Sequence, residues 1–258
     1  MHGVLIIPLI KQDIALSTLT SARKGYQGRI HFVELRDNTE NPKAIIASEW
    51  VKTYFCDISS YGFYKCMIVD RQSPAFDESR YLKPFHLYNY FAMLSVFGGV
   101  TWSLNNFDEV ELSIYSEDMT RTSEDNFISY LPRELITRAE KRKNPRPRIV
   151  LPNKKVILVN GDPRKVNMNL STHCEFIQLT DIITGGISQA INARASQDAK
   201  LSLGRTISEW IKDTRLPPWL QTKDLHRIFS ISCFLNGIGG FYNVNLEIEN
   251  KDQLKFNF

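Results

Sequence analysis

Cysteines are few in this sequence, and the four that it contains lie far apart, at positions 56, 66, 174 and 233. None forms a Cys-X-X-Cys pair, which argues against a zinc site or a disulfide framework and is typical of the reducing cytoplasm. Long apolar runs are also missing, because the longest, Val4 to Ile10, contains Pro8 and is too short to span a membrane. It also lacks the basic stretch of a signal peptide. We therefore expect a cytoplasmic protein without a membrane partner.

A large excess of charge of either sign is absent as well. The 258 residues include 32 Lys and Arg against 28 Asp and Glu, and the net charge of +4 permits a nucleic-acid partner without requiring one. The composition, 43% hydrophobic and 23% charged, is that of an ordinary globular protein. The length suits one large domain or a core with an appendage, and no pattern indicates an oligomeric state.

Apolar patterns predict alternating strands and helices through the first two thirds of the chain, which indicates an α/β sandwich with a mixed sheet. The predicted strands are Val4–Leu9, Ile30–Leu35, Phe63–Val69, Val110–Tyr115 and Val156–Val159. The predicted helices include Ile14–Ala22, Asn41–Phe55 and Pro84–Gly98.

Beyond residue 192 the pattern changes, and we expect residues 1–192 to form the core and residues 193–258 a carboxy-terminal extension. Helical spacing predicts helices over Ala193–Lys212 and Ile228–Leu235. Alternation predicts a strand over Tyr242–Ile248, which pairs with Gln253–Phe258 as a terminal hairpin.

The stretch Cys174–Ile191 is the strongest helical pattern in the chain. Its apolar residues share one broad face, and Asp181 lies near the centre of the opposite polar strip. Gly185, one turn later, leaves space beside that carboxylate, and a glycine inside a helix indicates close approach by a backbone or a ligand. The alternative is an amphipathic helix with a solvated Asp181, and periodicity alone does not distinguish the two.

The run Phe176–Gly185 resembles the carboxy-terminal motif of a bacterial family called domain of unknown function 3800, whose members are uncharacterised. In that family a Gln-Leu-small-Asp-Leu-(Leu/Ile)-x-Gly helix supplies a carboxylate to a ribonuclease H-like fold. The resemblance implies a ribonuclease H-like mixed sheet with flanking helices, whose acidic residues hold Mg²⁺ or Mn²⁺. Carboxylates suit these hard cations, and two such ions can support phosphodiester hydrolysis. It therefore implies a metal-dependent nuclease acting on DNA or RNA.

Carried over to this chain, the resemblance implies that Asp181, Asp118 and Glu34 are both the metal ligands and the catalytic residues. Asp118 follows the strand Val110–Tyr115, and Glu117 is the alternative at that position. Glu34 shares a strand face with apolar residues, and its alternative is an edge-strand residue that points to solvent.

The same resemblance implies that Gln178 contacts the substrate and that Arg121 contacts a phosphate. A basic segment, residues 138–155, would add sequence-independent affinity for nucleic acid. Within it we expect phosphate contacts from Arg142, Lys143, Arg146 and Arg148. The alternative is a solvated connection to the next strand.

One departure from the family pattern concerns the amino terminus. The family opens with a strand that ends in Asp-Glu-Ser-Gly and supplies the first metal-binding Asp, whereas this sequence starts at what resembles the second strand. Two hypotheses follow: a metal-dependent nuclease whose first strand lies upstream, or a catalytically inactive ribonuclease H-like module that binds nucleic acid or a protein partner.

Overall fold

A computed structural model describes residues 1–69, 71, 76–143, 146–192, 195–211, 228–235, 240–243, 245–250 and 253–257. The helices are α1 (Gln12–Ala22), α2 (Pro42–Cys56), α3 (Pro84–Ser103), α4 (Phe127–Glu140), α5 (Ser171–Asn192) and α6 (Asp198–Ile211). The strands are β1 (His2–Ile6), β2 (Phe63–Val69), β3 (Glu109–Glu111), β4 (Tyr115–Glu117), β5 (Arg148–Val150), β6 (Ile157–Val159), β7 (Phe229–Leu235), β8 (Gly240–Asn243), β9 (Asn245–Asn250) and β10 (Gln253–Asn257). The α/β class predicted from the sequence is confirmed.

The main sheet has the strand order β1-β2-β7-β8, in which β2 and β7 are parallel and the other pairs antiparallel. The helix predicted over Ile228–Leu235 is wrong, because this segment forms β7. A strand covered on both faces has an apolar pattern that periodicity cannot separate from a buried helix. The main sheet thus draws on residues from both sides of the boundary expected at residue 192.

Two short parallel pairs, β3 with β5 and β4 with β6, form a ribbon beside the main sheet. The single strand predicted over Val110–Tyr115 is therefore divided between β3 and β4. The predicted carboxy-terminal hairpin is confirmed by the antiparallel pairing of β9 with β10.

Helix α3 continues to Ser103, so the end predicted at Gly98 is wrong. A methyl group added at Gly99 would lie 3.5 Å from the Lys65 Cβ atom, so this glycine lets the helix approach β2. Helix α2 begins where expected, because the Asn41 side chain accepts a hydrogen bond from the Lys43 N–H and Pro42 occupies the first turn.

Successive residues of β2 point into two different hydrophobic cores. Tyr64, Cys66 and Ile68 pack among α1, α2, α5 and α6, whereas Met67 packs among α3 and α4. The main sheet is therefore covered by a helical layer on each face, and α5 lies in the larger layer. No helix in the described ranges is both long and apolar enough to cross a membrane.

Candidate functional site

A polar cleft of about 460 Å³ lies where three segments meet: residues 26–43, the end of β4 and the turn after β6. Because β4 and β6 are parallel, their carboxyl ends reach the same edge of the ribbon. Two of the predicted ligands, Glu34 and Asp118, line this cleft. The lining residues are Tyr26, Gly28, Arg29, Glu34, Lys43, Glu117, Asp118, Asn160, Gly161, Asp162, Arg164 and Lys165.

The segment predicted as the strand Ile30–Leu35 is instead an extended stretch followed by a 3-10 turn, so that prediction is wrong. The Ile30 N–H donates to Gln178 Oε1 at 2.6 Å, and the Phe32 N–H donates to Asp181 Oδ2 at 2.7 Å. Side chains of α5 thus accept the backbone hydrogen bonds of this segment that a neighbouring strand would accept in a sheet. This arrangement holds Glu34 beside the cleft.

A buried arginine fixes the preceding loop on α5. Arg23 donates from Nε to Glu175 at 2.9 Å, from Nη2 to Gln178 Oε1 at 3.1 Å, and from Nη1 to the Gly28 carbonyl at 2.8 Å. Gln178 is 2% exposed and its amide oxygen accepts from the backbone as well. Gln178 therefore holds the loop that leads to Arg29, which is a structural role in place of the substrate contact expected from the sequence.

Asp181 lies half-buried against this loop and is not one of the residues that line the cleft. Its Oδ2 accepts the Phe32 N–H and lies 3.3 Å from His31 Nδ1. Burial raises the pKa of the Asp181 carboxyl, while the Phe32 N–H, His31 and Arg29 oppose that rise and Glu34 adds to it. Glu34 and Arg29 are cleft residues, so Asp181 shares the electrostatic environment of the cleft.

The space that Gly185 leaves on α5 is filled from within the chain. A Cβ atom placed on Gly185 would overlap the ring of Phe32. The close approach inferred from this glycine is therefore that of the loop side chain Phe32, next to its own hydrogen bond with Asp181.

Most carboxylates of the cleft are paired with a cation. The pairs are Glu34 with Lys43, Glu117 with Arg29, and Asp162 with Arg164. Hydrogen bonds from Arg164 lower the pKa of Asp162 to about 2. Asp118 differs, because its exposed carboxylate has no ion pair or side-chain hydrogen bond to any described residue.

The predicted metal ligands do not fit a metal centre as they are arranged. Among the described residues, no group of three or more His, Cys, Asp or Glu side chains is placed to hold a metal ion. Glu34 Oε2 is engaged by Lys43 and Asp181 Oδ2 by the Phe32 N–H, so a divalent cation would have to share these carboxylates with the partners that they already have.

Arg121 does not line the cleft. Its Nη1 donates to Asp125 at 2.9 Å, and its guanidinium lies 3.9 Å from the ring centroid of Phe127. The side chain is 13% exposed, so Arg121 fastens the connection between β4 and α4 and does not present a free cation to a phosphate.

The basic segment lies at the other end of the ribbon from the cleft. Arg148 pairs in register with Glu109 and forms an ion pair with it at 2.7 Å. Arg146 lies 3.3 Å from Asp108, and Arg142 donates to the Arg146 carbonyl at 2.7 Å. Two of the four expected phosphate contacts are thus paired with acids, and the fourth member, Lys143, is exposed.

Several cleft residues were not predicted to be functional from the sequence. Arg29 and Lys43 carry no local signal, since each is one basic residue in a mixed segment. The turn Asn160–Pro163 did carry a sequence signal, because it is a polar turn that directly follows a predicted strand. The structure adds that this strand runs parallel to β4, so the turn lies at the same edge of the ribbon. Asp162 and Arg164 therefore lie in the same cleft as Asp118.

A scan of protein-family models and searches of curated proteins and of solved structures find no match to this chain. The resemblance to domain of unknown function 3800 therefore stays a prediction, which rests on residues 176–185.

Proposed function

We propose that this chain is a ribonuclease H-like module that binds the phosphate groups of a nucleic acid in the cleft without metal-dependent cleavage. The observation that carries the proposal is that predicted metal ligands already have hydrogen-bond or ion-pair partners within the chain. Glu34 is neutralised by Lys43, and Asp181 is engaged by the Phe32 N–H and by His31. A metal would have to share these carboxylates with the partners that they already have, whereas a phosphate can accept from the remaining N–H donors of the cleft cations.

The cations of the cleft supply the affinity in this proposal. Arg164 and Lys165 are exposed at its rim, and Lys165 has no ion pair with a described residue. A guanidinium can bind a phosphate through two parallel N–H donors, which favours Arg29 and Arg164 as phosphate contacts. Because this affinity comes from charge, it falls with salt and depends little on sequence.

Fluorescence anisotropy with labelled single-stranded and duplex oligonucleotides, titrated at several salt concentrations, tests the proposal. We expect the combined substitution of Arg164→Ala and Lys165→Ala to reduce the log–log salt slope by about 0.7–0.9 for each lost contact. The matched control, Arg146→Ala with Arg148→Ala, removes the same charge from the basic segment and should change the slope less. The opposite ranking would place the nucleic acid on the basic segment, and no binding by the unmodified chain would refute the proposal.

A second candidate function, metal-dependent phosphodiester hydrolysis, is favoured by one observation. The Asp118 carboxylate, which has no ion pair with a described residue, opens into the same cleft as Glu34 and Glu117. The labelled oligonucleotides, incubated with Mg²⁺ or Mn²⁺, distinguish the two functions. Under our proposal they stay intact; cleavage that Asp118→Asn and Asp181→Asn each abolish would establish the hydrolase instead.

A further inference from the structure

The face of the main sheet that is covered by α3 buries an ammonium group. Lys65, on β2, is 6% exposed, and its Nζ donates to Ser230 Oγ on β7 at 2.8 Å. Its methylene stem packs under Gly99 of α3. Within the described ranges no carboxylate forms an ion pair with Lys65, although burying an uncompensated charge is costly.

The ammonium of Lys65 has more hydrogen-bond donors than the described residues provide acceptors for. The parallel register sets Lys65 beside Ser230 and Met67 beside Ser232, so both serines point to the same face of the sheet. Ser232 is fully buried, and its hydroxyl has no hydrogen-bond partner among the described residues. An ammonium carries three N–H donors, and Ser230 accepts only one of them. The cluster therefore offers several hydrogens and one positive charge to a group that it does not itself contain.

Open space lies between Gly98 of α3 and the Lys65 side chain. A methyl group added at Gly98 would meet only Lys65 Cε, at 3.7 Å, among atoms outside its own stretch of helix. Gly98 is itself partly exposed, so the space beside Lys65 borders solvent at this point of the helix. Gly98 is also the residue that the sequence pattern misassigned as a helix end.

From these observations we propose that Lys65, Ser230 and Ser232 form a binding site for a small monovalent anion, such as chloride or the carboxylate of a small acid. An anion accepts several hydrogen bonds and also compensates the buried charge, which a water molecule does not do. Burial lowers the pKa of Lys65 to about 8, as expected where no internal anion compensates the charge. The site lies on the sheet face opposite α5 and does not depend on the proposed function of the cleft.

Thermal unfolding of the whole chain in sodium chloride, sodium formate and sodium gluconate at equal ionic strength tests this site, with ³⁵Cl line broadening as a direct measure of binding. Gluconate is a much larger anion than chloride or formate, so we expect the unfolding midpoint to rise with chloride or formate relative to gluconate. Lys65→Met keeps the stem and removes the charge, and it should abolish both the anion-specific rise and the line broadening. Lys155→Met removes one exposed charge and should leave them unchanged.

Ser232→Ala provides a second variant that does not disturb the lysine. No described residue bonds its hydroxyl, so the variant should fold normally and should bind the anion several-fold more weakly. Equal midpoints in chloride, formate and gluconate, or an anion effect that persists in Lys65→Met, would overturn the proposal. If Lys65→Met does not fold, an unchanged anion affinity in Ser232→Ala overturns it as well.

Discussion

The two helical layers of the main sheet each bury a cation, and the two cations have different surroundings. Arg23, in the layer of α5, is 7% exposed and donates to Glu175, to Gln178 and to the Gly28 carbonyl. Lys65, in the layer of α3, is 6% exposed and, among the described residues, donates only to a serine. Equal burial thus accompanies a compensated charge on one side and an uncompensated charge on the other.

This difference separates a structural role from a binding role. Arg23 and Glu175 offset one another: burial raises the pKa of Glu175, and the attraction and hydrogen bond of Arg23 oppose that rise. Their network fixes the loop that carries Arg29 to the cleft. Lys65 belongs to no such network: among the described residues its ammonium has one acceptor, Ser230 Oγ, and the proposed anion would supply the missing countercharge.

The largest expected effect comes from breaking the compensated pair. Arg23→Leu leaves the Glu175 carboxylate buried without its cation, and we expect the free energy of unfolding to fall by about 3–5 kcal/mol. Urea unfolding followed by circular dichroism measures this loss. The double variant Arg23→Leu with Glu175→Leu removes both charges and should recover much of the stability. A loss below about 1 kcal/mol in the single variant would mean that Glu175 is not held by Arg23.

In the layer that contains Arg23, sequence patterns predicted the helices better than the contacts between them and the loop. Helix α5 was predictable because its apolar residues repeat over many turns, and α2 because Asn41 and Pro42 mark its start. The segment 30–35 was not, since its alternation is also compatible with an extended loop. Only the fold shows that Gln178 and Asp181, far away in sequence, accept its backbone hydrogens.

The uncompensated cation should show itself in the pH dependence of stability. Burial lowers the pKa of Lys65 from 10.5 to about 8, so between these values the unfolded chain binds more protons than the folded chain. Stability should therefore rise from about pH 8 to about pH 10.5, by as much as about 3 kcal/mol, whereas below pH 8 the full cost of the charge remains.

Urea unfolding in gluconate buffer over this pH range measures that rise. Lys65→Met is the matched control, because it has no ammonium to deprotonate and should lose the rise while other groups titrate as before. The same rise in both proteins would assign it to other residues. In chloride the rise should shrink in the unmodified chain, if the anion holds the ammonium charged.

For the cleft, sequence patterns predicted positions better than roles. Glu34 and Asp118 line one cavity, but Asp181, the first of the predicted ligands, is not among its lining residues. Their partners were not predictable, because the pairing of Glu34 with Lys43 depends on a 3-10 turn where a strand was expected. Arg121 was expected to contact a phosphate, yet Phe127 and Asp125 enclose it. Residue type suggests a chemistry, but packing determines whether the group is free to perform it.

The smallest expected effect compares one helix glycine from each layer. Gly185 on α5 faces the Phe32 ring, whereas Gly98 on α3 faces the gap beside Lys65. Gly185→Ala would force Phe32 to move and should lower the free energy of unfolding by about 1–3 kcal/mol, even though alanine favours a helix. Gly98→Ala makes an ordinary contact at 3.7 Å with Lys65 Cε and should raise it by about 0.5–1 kcal/mol.

Urea unfolding of the two variants provides the comparison, and oligonucleotide affinity provides a second measurement. Because Phe32 donates its N–H to Asp181, Gly185→Ala should also displace the segment that holds Glu34 and weaken binding in the cleft. Gly98→Ala leaves that segment untouched and should retain full affinity. If both alanines stabilise the chain equally, the Phe32 ring does not rest on Gly185, and the loop beside the cleft is held by its hydrogen bonds to α5 alone.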